Sequence, residues 1–367
     1  YTTKLKLKNL RLLNFKNHMD SHWEFNNRVN CFVGDNGSGK TNILDAIHYL
    51  SLTKSYFNSS DSTSINFNSD FFTIKGSFEK KENLSEIVCN VKDGSSKSLK
   101  NNEKKYKRFS DHIGNYPVVF ISPTDTNLIY DNSETRRKYV DSGISQFNSA
   151  YLQNLISYNK TLKQRNKLLK NFATTNTFDS FTLETYDELL IKYGEIIFCE
   201  REKYLQKLIP VFQQYYLEIS GGDEEVGIEY KSQLSENVFL DLLKKSLEID
   251  KISSRTNVGI HKDDLVFTLN NYPIKKHGSQ GQQKSFLISL KLAQFEFMKM
   301  KLGLDPILLL DDIFDKLDDK RVECLVSFVK KGKFDQVFIT DTNKERSENI
   351  LINTGSDYTI FNITRQT

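Results

Sequence analysis

Three short stretches combine residue types that can grip and cleave a phosphoanhydride. Gly34-Asp35-Asn36-Gly37-Ser38-Gly39-Lys40-Thr41, followed by Asn42, satisfies the pattern GxxxxGK[ST]. Glycines at this spacing let backbone amides converge on phosphate oxygens. Lys40 is placed to reach the β- and γ-phosphates, and the Thr41 hydroxyl to ligate Mg²⁺. Further along, Ile307-Leu308-Leu309-Leu310-Asp311-Asp312 reads as a buried strand ending in two carboxylates. Asp311 is expected to hold Mg²⁺ through water opposite Thr41, and Asp312 to orient or deprotonate the attacking water. The third stretch, Ser279-Gln280-Gly281-Gln282-Gln283, opens a helix with a hydroxyl and bare amides, which suits an anion. The expected ligands are therefore ATP and Mg²⁺, with Lys40 and Asp312 as the catalytic pair.

Positioning these groups requires a strand, a glycine loop and a helix in succession. Residues 4–16 alternate as a strand, and Val29 to Val33 form a short apolar run ending on Gly34. Ile43, Leu44, Ala46, Ile47 and Leu50 recur at helical spacing, which predicts a helix over 41–51. Between 54 and 110, short alternating runs such as 71–78 and 87–91 predict an antiparallel edge sheet, and 118–121 predicts a buried strand stopped by Pro123.

Apolar residues then step by three or four from Ile144 to Phe172, interrupted by Arg165, and again from Tyr186 to Tyr215 before Gly221-Gly222. Two helices joined near 173–180 should pack antiparallel as a lobe. Strands resume at Leu265, a helix at 280–300, and strands at 307–310 and 337–340. The chemistry lies at both ends of the chain, so the outer parts should form one domain. The expected division is 4–130 and 251–367 for the two parts of that domain, with the helical lobe at 131–250.

Composition narrows the class. With 367 residues, 38% of them hydrophobic, the chain can build a large core, and four widely spaced cysteines show no metal-ligand pattern. No apolar run reaches membrane-spanning length, so a soluble, cytoplasmic protein without a membrane partner is expected. Net charge is only +4, but basic residues crowd two segments: Lys97, Lys100, Lys104, Lys105, Lys107 and Arg108, then Lys160, Lys163, Arg165, Lys167 and Lys170. Either could meet a phosphate backbone. His18 and His22 share i, i+4 spacing but lack a third ligand, and His261 beside Asp263 and Asp264 suits a structural or dimer-face role better than a metal.

The order of motifs resembles the ABC-type ATPases. Within them, the chain resembles the RecF family through Asn14-Phe15-Lys16, the Gly34 to Asn42 loop, Lys54-Ser55, Ser122-Pro123, Arg136-Arg137, Asp141, Gly259-x-His261-x-Asp263-Asp264-Leu265, Ser279 to Gln283, and Leu309 to Asp312 with Leu317-Asp318. Thr124 and Ile260 depart from that pattern, and Thr340-Asp341-Thr342 stands where ABC ATPases often carry a switch histidine. The resemblance implies an α/β ABC-type ATPase head (P-loop NTPase) with an inserted α-helical lobe and no long coiled coil. It further implies an ATP-dependent homodimer on double-stranded and gapped DNA, slow DNA-dependent hydrolysis, RecR/RecO-type mediators as partners, and a role in loading a recombinase during repair. A second copy would complete each nucleotide site through its Ser279 to Gln283 loop, with Asp318 at the dimer face. The rival readings are an ATPase subunit of a membrane transporter and an SMC-like tether, for which the helical insertion is short.

Overall fold

The computed structural model describes residues 4–175, 177–222, 224–314 and 317–365. It divides into two compact units, Tyr1–Thr126 with Gln214–Asp223 and Gln280–Thr367, and Asn127–Gln213 with Glu224–Ser279.

The first unit begins with β1 (Leu5–Phe15), β2 (His18–Glu24) and β3 (Val29–Val33), then α1 (Lys40–Leu52). The predicted antiparallel region folds as β4 (Phe71–Lys80), β5 (Asn83–Lys92), β6 (Ser98–Asn101) and β7 (Lys104–Lys105), followed by the buried β8 (Val118–Ile121). Together with β1 and β2 these make a six-stranded antiparallel sheet of order β2-β1-β4-β5-β6-β7. Period-2 alternation fits a sheet with one buried face: Leu5, Leu7, Phe72 and Ile74 join α1 residues such as Ile43, Ile47 and Leu50 in a common apolar core.

The second unit starts with α2 (Asn127–Tyr130), α3 (Ser133–Ser145), α4 (Ser149–Thr175) and α5 (Ser180–Ser220), whose last turns belong to the first unit. The predicted pair of long helices is present and antiparallel, since Arg165 reaches Asp187 and Arg201 reaches Tyr151. Arg165 breaks the apolar rhythm without leaving the core. Its guanidinium is fully buried against Asp187 and Asp250, and opposite charges are what make such burial tolerable.

After β9 (Val226–Lys231) and α6 (Phe239–Ser253) come β10 (Asp264–Leu269), β11 (Tyr272–Pro273) and the single turn α7 (Ile274–His277). The unit boundaries differ from those expected at 130 and 250. Residues up to Ser279 stay with the helical unit because β10 pairs with β9 from Asp264↔Lys231 to Leu269↔Val226, and with β11 on its other side.

The chain completes the first unit with α8 (Gln280–Leu302), β12 (Ile307–Leu310), α9 (Asp319–Lys330), β13 (Val337–Asp341), α10 (Lys344–Thr354) and β14 (Tyr358–Asn362). With β3 and β8, these three late strands build a five-stranded parallel sheet of order β14-β3-β13-β12-β8. Every residue of β3, β8, β12 and β13 is buried, as expected for parallel strands covered on both faces. Among the described residues, no helix is long and apolar enough to cross a membrane.

Candidate functional site

Strand β3, flanked by β14 and β13, delivers the glycine loop at its C-terminal end. Gly34 is required by close approach, because a Cβ there would lie 2.2 Å from the backbone oxygen of Ile363. Gly39 has φ +107°, and a Cβ on it would meet the Asn17 amide at 2.4 Å. Helix α1 therefore starts directly behind a bend that only glycine fits, without a side-chain cap on its first amides. The Lys40 ammonium folds back over the loop and donates to Gly34 O at 2.8 Å and Asp35 O at 2.9 Å. Ser38 Oγ is buried and has no hydrogen-bond partner among the described residues. A buried unmatched hydroxyl beside a lysine and a bare helix start fits a triphosphate.

Sequence reasoning missed the brace behind this loop. Asn17 Nδ2 donates to Ser38 O at 2.9 Å, while its Oδ1 accepts from Asn42 Nδ2 at 2.7 Å. His18 Nε2 lies 3.1 Å from Gly39 O, and its Nδ1 lies 3.1 Å from Ser21 Oγ. Donation to the carbonyl places the proton on Nε2, so Nδ1 accepts from the serine. Burial lowers the pKa of His18, partly opposed by the Gly39 bond. One of the two spaced histidines is thus a neutral buttress, while His22 lies exposed. The signal was the Asn-His pair at the β1–β2 turn, which only the tertiary fold brings under the loop.

Asp311 sits at the end of β12, 4% exposed. Its Oδ1 accepts from Thr41 Oγ1 and Thr340 Oγ1, each at 2.8 Å, and its Oδ2 lies 3.4 Å from Ser122 Oγ. Burial raises its pKa, the hydroxyl bonds oppose that rise, and the neighbouring Asp312 charge adds to it. A buried carboxylate beside a threonine hydroxyl forms a hard oxygen pair suited to Mg²⁺. Asp312 adopts φ +45° and donates its amide to Thr340 Oγ1 at 2.9 Å. The left-handed bend sends the second carboxylate along a different course from the first, a costly conformation for a non-glycine residue and one often kept at reactive sites.

The segment lacking the switch histidine has a clear structural role. Asp341 is buried and accepts from the amides of Thr342 and Asn343, from Ser347 Oγ and from Arg346, which ties it to the start of α10. Thr340, rather than Asp341, touches the Asp311 carboxylate and the Asp312 amide.

Gln280 to Gln283 of the third motif form the first turn of α8, with Gln283 buried, and Ser279 directly precedes it. Gly281 lies within 3.4–3.6 Å, measured from an ideal Cβ, of the Arg321 guanidinium on α9. The same helix reaches back towards Asp311 through Lys291, which pairs with Asp125 at 2.9 Å. Asp125 in turn accepts from the Ser122 amide at 2.8 Å.

Other motif residues are structural. Lys16 and Ser55 both bind Asp45 of α1, at 2.6 and 2.7 Å. In the helical unit, Arg136 holds Asp264 with a two-pronged contact, and Arg201 joins Asp141 to Asp263. His261 contacts Tyr158 Oη at 2.9 Å and Thr256 O at 3.1 Å, and burial pushes its pKa down to about 4. Of the basic residues, Lys97 is committed to Asp61 and Thr53 O, and Arg165 is buried. Lys100, Lys104, Lys105, Lys107 and Arg108 remain exposed, as do Lys160, Lys163, Lys167 and Lys170 along one face of α4.

Comparison with known proteins agrees with this geometry. The family model for the RecF/RecN/SMC N terminal domain matches residues 6–360. The chain is 50% identical over 359 residues to the DNA replication and repair protein RecF of Flavobacterium johnsoniae, covering 98% of this chain and 100% of that one. It is 46% identical to the protein of the same name from Bacteroides thetaiotaomicron, covering 97% and 96%. A solved structure of the recombination mediator protein RecF with ATP superposes with TM-score 0.90 at 32% identity, covering 100% of this chain and 97% of that one. The Smc head domain of Pyrococcus furiosus, at 17% identity and TM-score 0.56 over 99% of this chain and 94% of that one, shares the fold.

Proposed function

The chain belongs to the RecF family, and on that premise we propose that it is an ATP-dependent DNA-binding protein of recombinational repair and replication. ATP closes two copies over double-stranded DNA near a single-strand gap, slow hydrolysis reopens them, and the bound dimer assists loading of a recombinase with RecR/RecO-type mediators. The observation that carries this reading is the convergence of Lys40, Thr41 and Asp311 at one place, drawn from the two ends of the chain.

In the proposed site, the loop from Gly34 to Asn42 binds the phosphates, with Lys40 leaving its carbonyl partners for the β- and γ-oxygens. Thr41 and Asp311 are the residues that would hold Mg²⁺, Asp311 through water; the ion would neutralise charge on those oxygens. Asp312 orients the attacking water and accepts its proton. The turn from Ser279 to Gln283 serves the nucleotide of the second copy, so two sites form only when two chains face each other. No histidine follows β13, and the Thr340 hydroxyl is committed to Asp311 and the Asp312 amide, which suits slow turnover.

Neither rival reading has such support. The helices of the insertion, 27 and 41 residues long, are too short for a tether, and the curated relatives are repair proteins rather than transporter subunits. Measuring ATPase rate and mass by light scattering, with and without duplex DNA, tests the proposal. ATP-dependent dimers whose hydrolysis rises with DNA support it; a monomer at saturating ATP, or a rate indifferent to DNA, refutes it.

A further inference from the structure

Among the described residues outside its own helix turn, the atoms nearest Gly281 of the α8 first turn belong to the Arg321 guanidinium. Its Nη2, Nη1 and Cζ lie 3.4, 3.5 and 3.6 Å from an ideal Cβ on Gly281. Two anchors fix its plane. Nε donates to Ser285 Oγ at 2.6 Å, one turn into α8, and Nη1 pairs with Asp318, the residue that caps α9 by accepting the Arg321 amide at 3.0 Å. The side chain is 19% exposed, and Asp318 is 54% exposed. A guanidinium presents five N–H donors in a rigid fork. With Nε and Nη1 anchored, the guanidinium lies face-on over Gly281, with Nη2, Nη1 and Cζ nearly equidistant from that ideal Cβ. Two sources of positive potential, the α8 N-terminus and a planar cation, therefore converge on one spot.

We infer that Arg321 acts in trans on the chemistry proposed above: in the closed dimer its guanidinium contacts the γ-phosphate of the nucleotide held by the Gly34 to Asn42 loop of the second copy. This rests on the two-chain site described under the proposed function and adds to it a cation that the three motifs do not contain. Water oxygen forms a bond to the γ-phosphorus, the bond to the β,γ-bridging oxygen breaks, and the proton of the water passes to Asp312 of the nucleotide-holding chain. Arg321 takes no proton and stabilises the charge on the transferring oxygens, a contribution of about 10³-fold or more in phosphoryl transfer. On the two-chain reading, Asp318 belongs to the dimer face, so its ion pair with Arg321 makes the effect conditional on dimer closure.

A mixing experiment tests this. Arg321→Ala and Lys40→Ala homodimers should each hydrolyse ATP about 100-fold more slowly or worse. Mixed together they should regain activity, because the mixed dimer keeps one site with an intact loop from one chain and an intact Arg321 from the other. Ser279→Arg mixed with Lys40→Ala is the control for the two-chain site. If the control pair recovers activity and the Arg321→Ala pair does not, Arg321 does not act in trans and the inference falls. If the control pair also stays silent, the two-chain reading itself falls, and the inference with it. ATP affinity of Arg321→Ala alone should stay within about 2-fold of the parent, since its own loop does not use Arg321. Loss of that affinity would mark a merely structural role and overturn the inference, whereas partial recovery of hydrolysis by Arg321→Lys would support it.

Discussion

Thr41 Oγ1 donates a 2.8 Å hydrogen bond to Asp311 Oδ1 although 270 positions separate them in the chain. That bond joins the start of α1 to the end of β12, and it makes the phosphate loop and the acidic strand parts of one object. Its neighbours, Lys40 on one side and Asp312 on the other, divide the expected roles between binding and turnover.

Lys40→Ala removes the only charge-assisted donor that lies inside the loop. ATP affinity should fall by about 100-fold or more while the fold persists, since the lysine bonds only to loop carbonyls. Titration with a fluorescent ATP analogue checks this, and unchanged affinity would refute the loop assignment.

Asp312→Asn keeps the size of the side chain and the backbone N–H hydrogen bond to Thr340 but removes the proposed proton acceptor. Hydrolysis should slow by about 100-fold or more, with ATP still bound and dimer accumulating. Single-turnover kinetics combined with light scattering reads both effects; normal turnover would clear Asp312 of its role.

Asn17→Ala tests the brace. It strips a donor from Ser38 O and an acceptor from Asn42, so urea unfolding should show a loss of about 1–2 kcal/mol. ATP affinity should drop by about 10-fold, because the loop loses its support rather than a ligand. Wild-type affinity in this variant would show that the loop holds its shape unaided.

Two exposed basic surfaces, Lys104 and Lys105 on β7 and the α4 lysines at 160, 163, 167 and 170, are candidates for the DNA backbone. Each lysine that neutralises a phosphate contributes about 0.9 to the slope of log affinity against log salt. Replacing Lys104 and Lys105 by alanine should therefore lower the slope by about 2 if β7 touches DNA, and the α4 quadruple variant by about 4 if that helix does. Slopes unchanged in both sets would remove both surfaces from consideration.

His261 supplies a pH signature for the helical unit. Burial holds its pKa near 4 against an ordinary 6.5, while Thr256 O and Asp250 favour the charged form and Lys262 and Arg137 oppose it. A depressed histidine pKa means that the unfolded chain binds the proton first. Its contribution is therefore fully present above pH about 6.5 and is lost as pH falls towards about 4. Urea midpoints of His261→Gln should fall less steeply across that window than those of the parent; parallel curves would count against a buried neutral imidazole. His48, also held near pH 4 by burial, adds a slope of the same sign in the other unit.

Much of this was legible in the chain because the motifs are local. A glycine loop after a buried strand, and two carboxylates after another, announce themselves by spacing, and β12 begins and ends where the apolar run does. What escaped was contact between distant segments. His18 reads as half of a poor metal pair until β1 and β2 fold it under Gly39. Arg165 reads as a phosphate contact until Asp187 and Asp250 close around it. Residues 264–269 read as the return of the ATPase domain because alternation marks a strand without marking its sheet, and pairing with β9 decided otherwise. Strand β14 lacks a strong alternating pattern, so only the sheet order reveals it.

That sheet order constrains how the molecule can be made. Strand β3 carries the glycine loop, yet both of its neighbours, β13 and β14, lie close to the far end of the chain. During synthesis the loop leaves the ribosome long before any strand exists to flank it. A nascent or prematurely terminated chain therefore presents its glycine loop on a strand that lacks the two neighbours it has in the folded sheet.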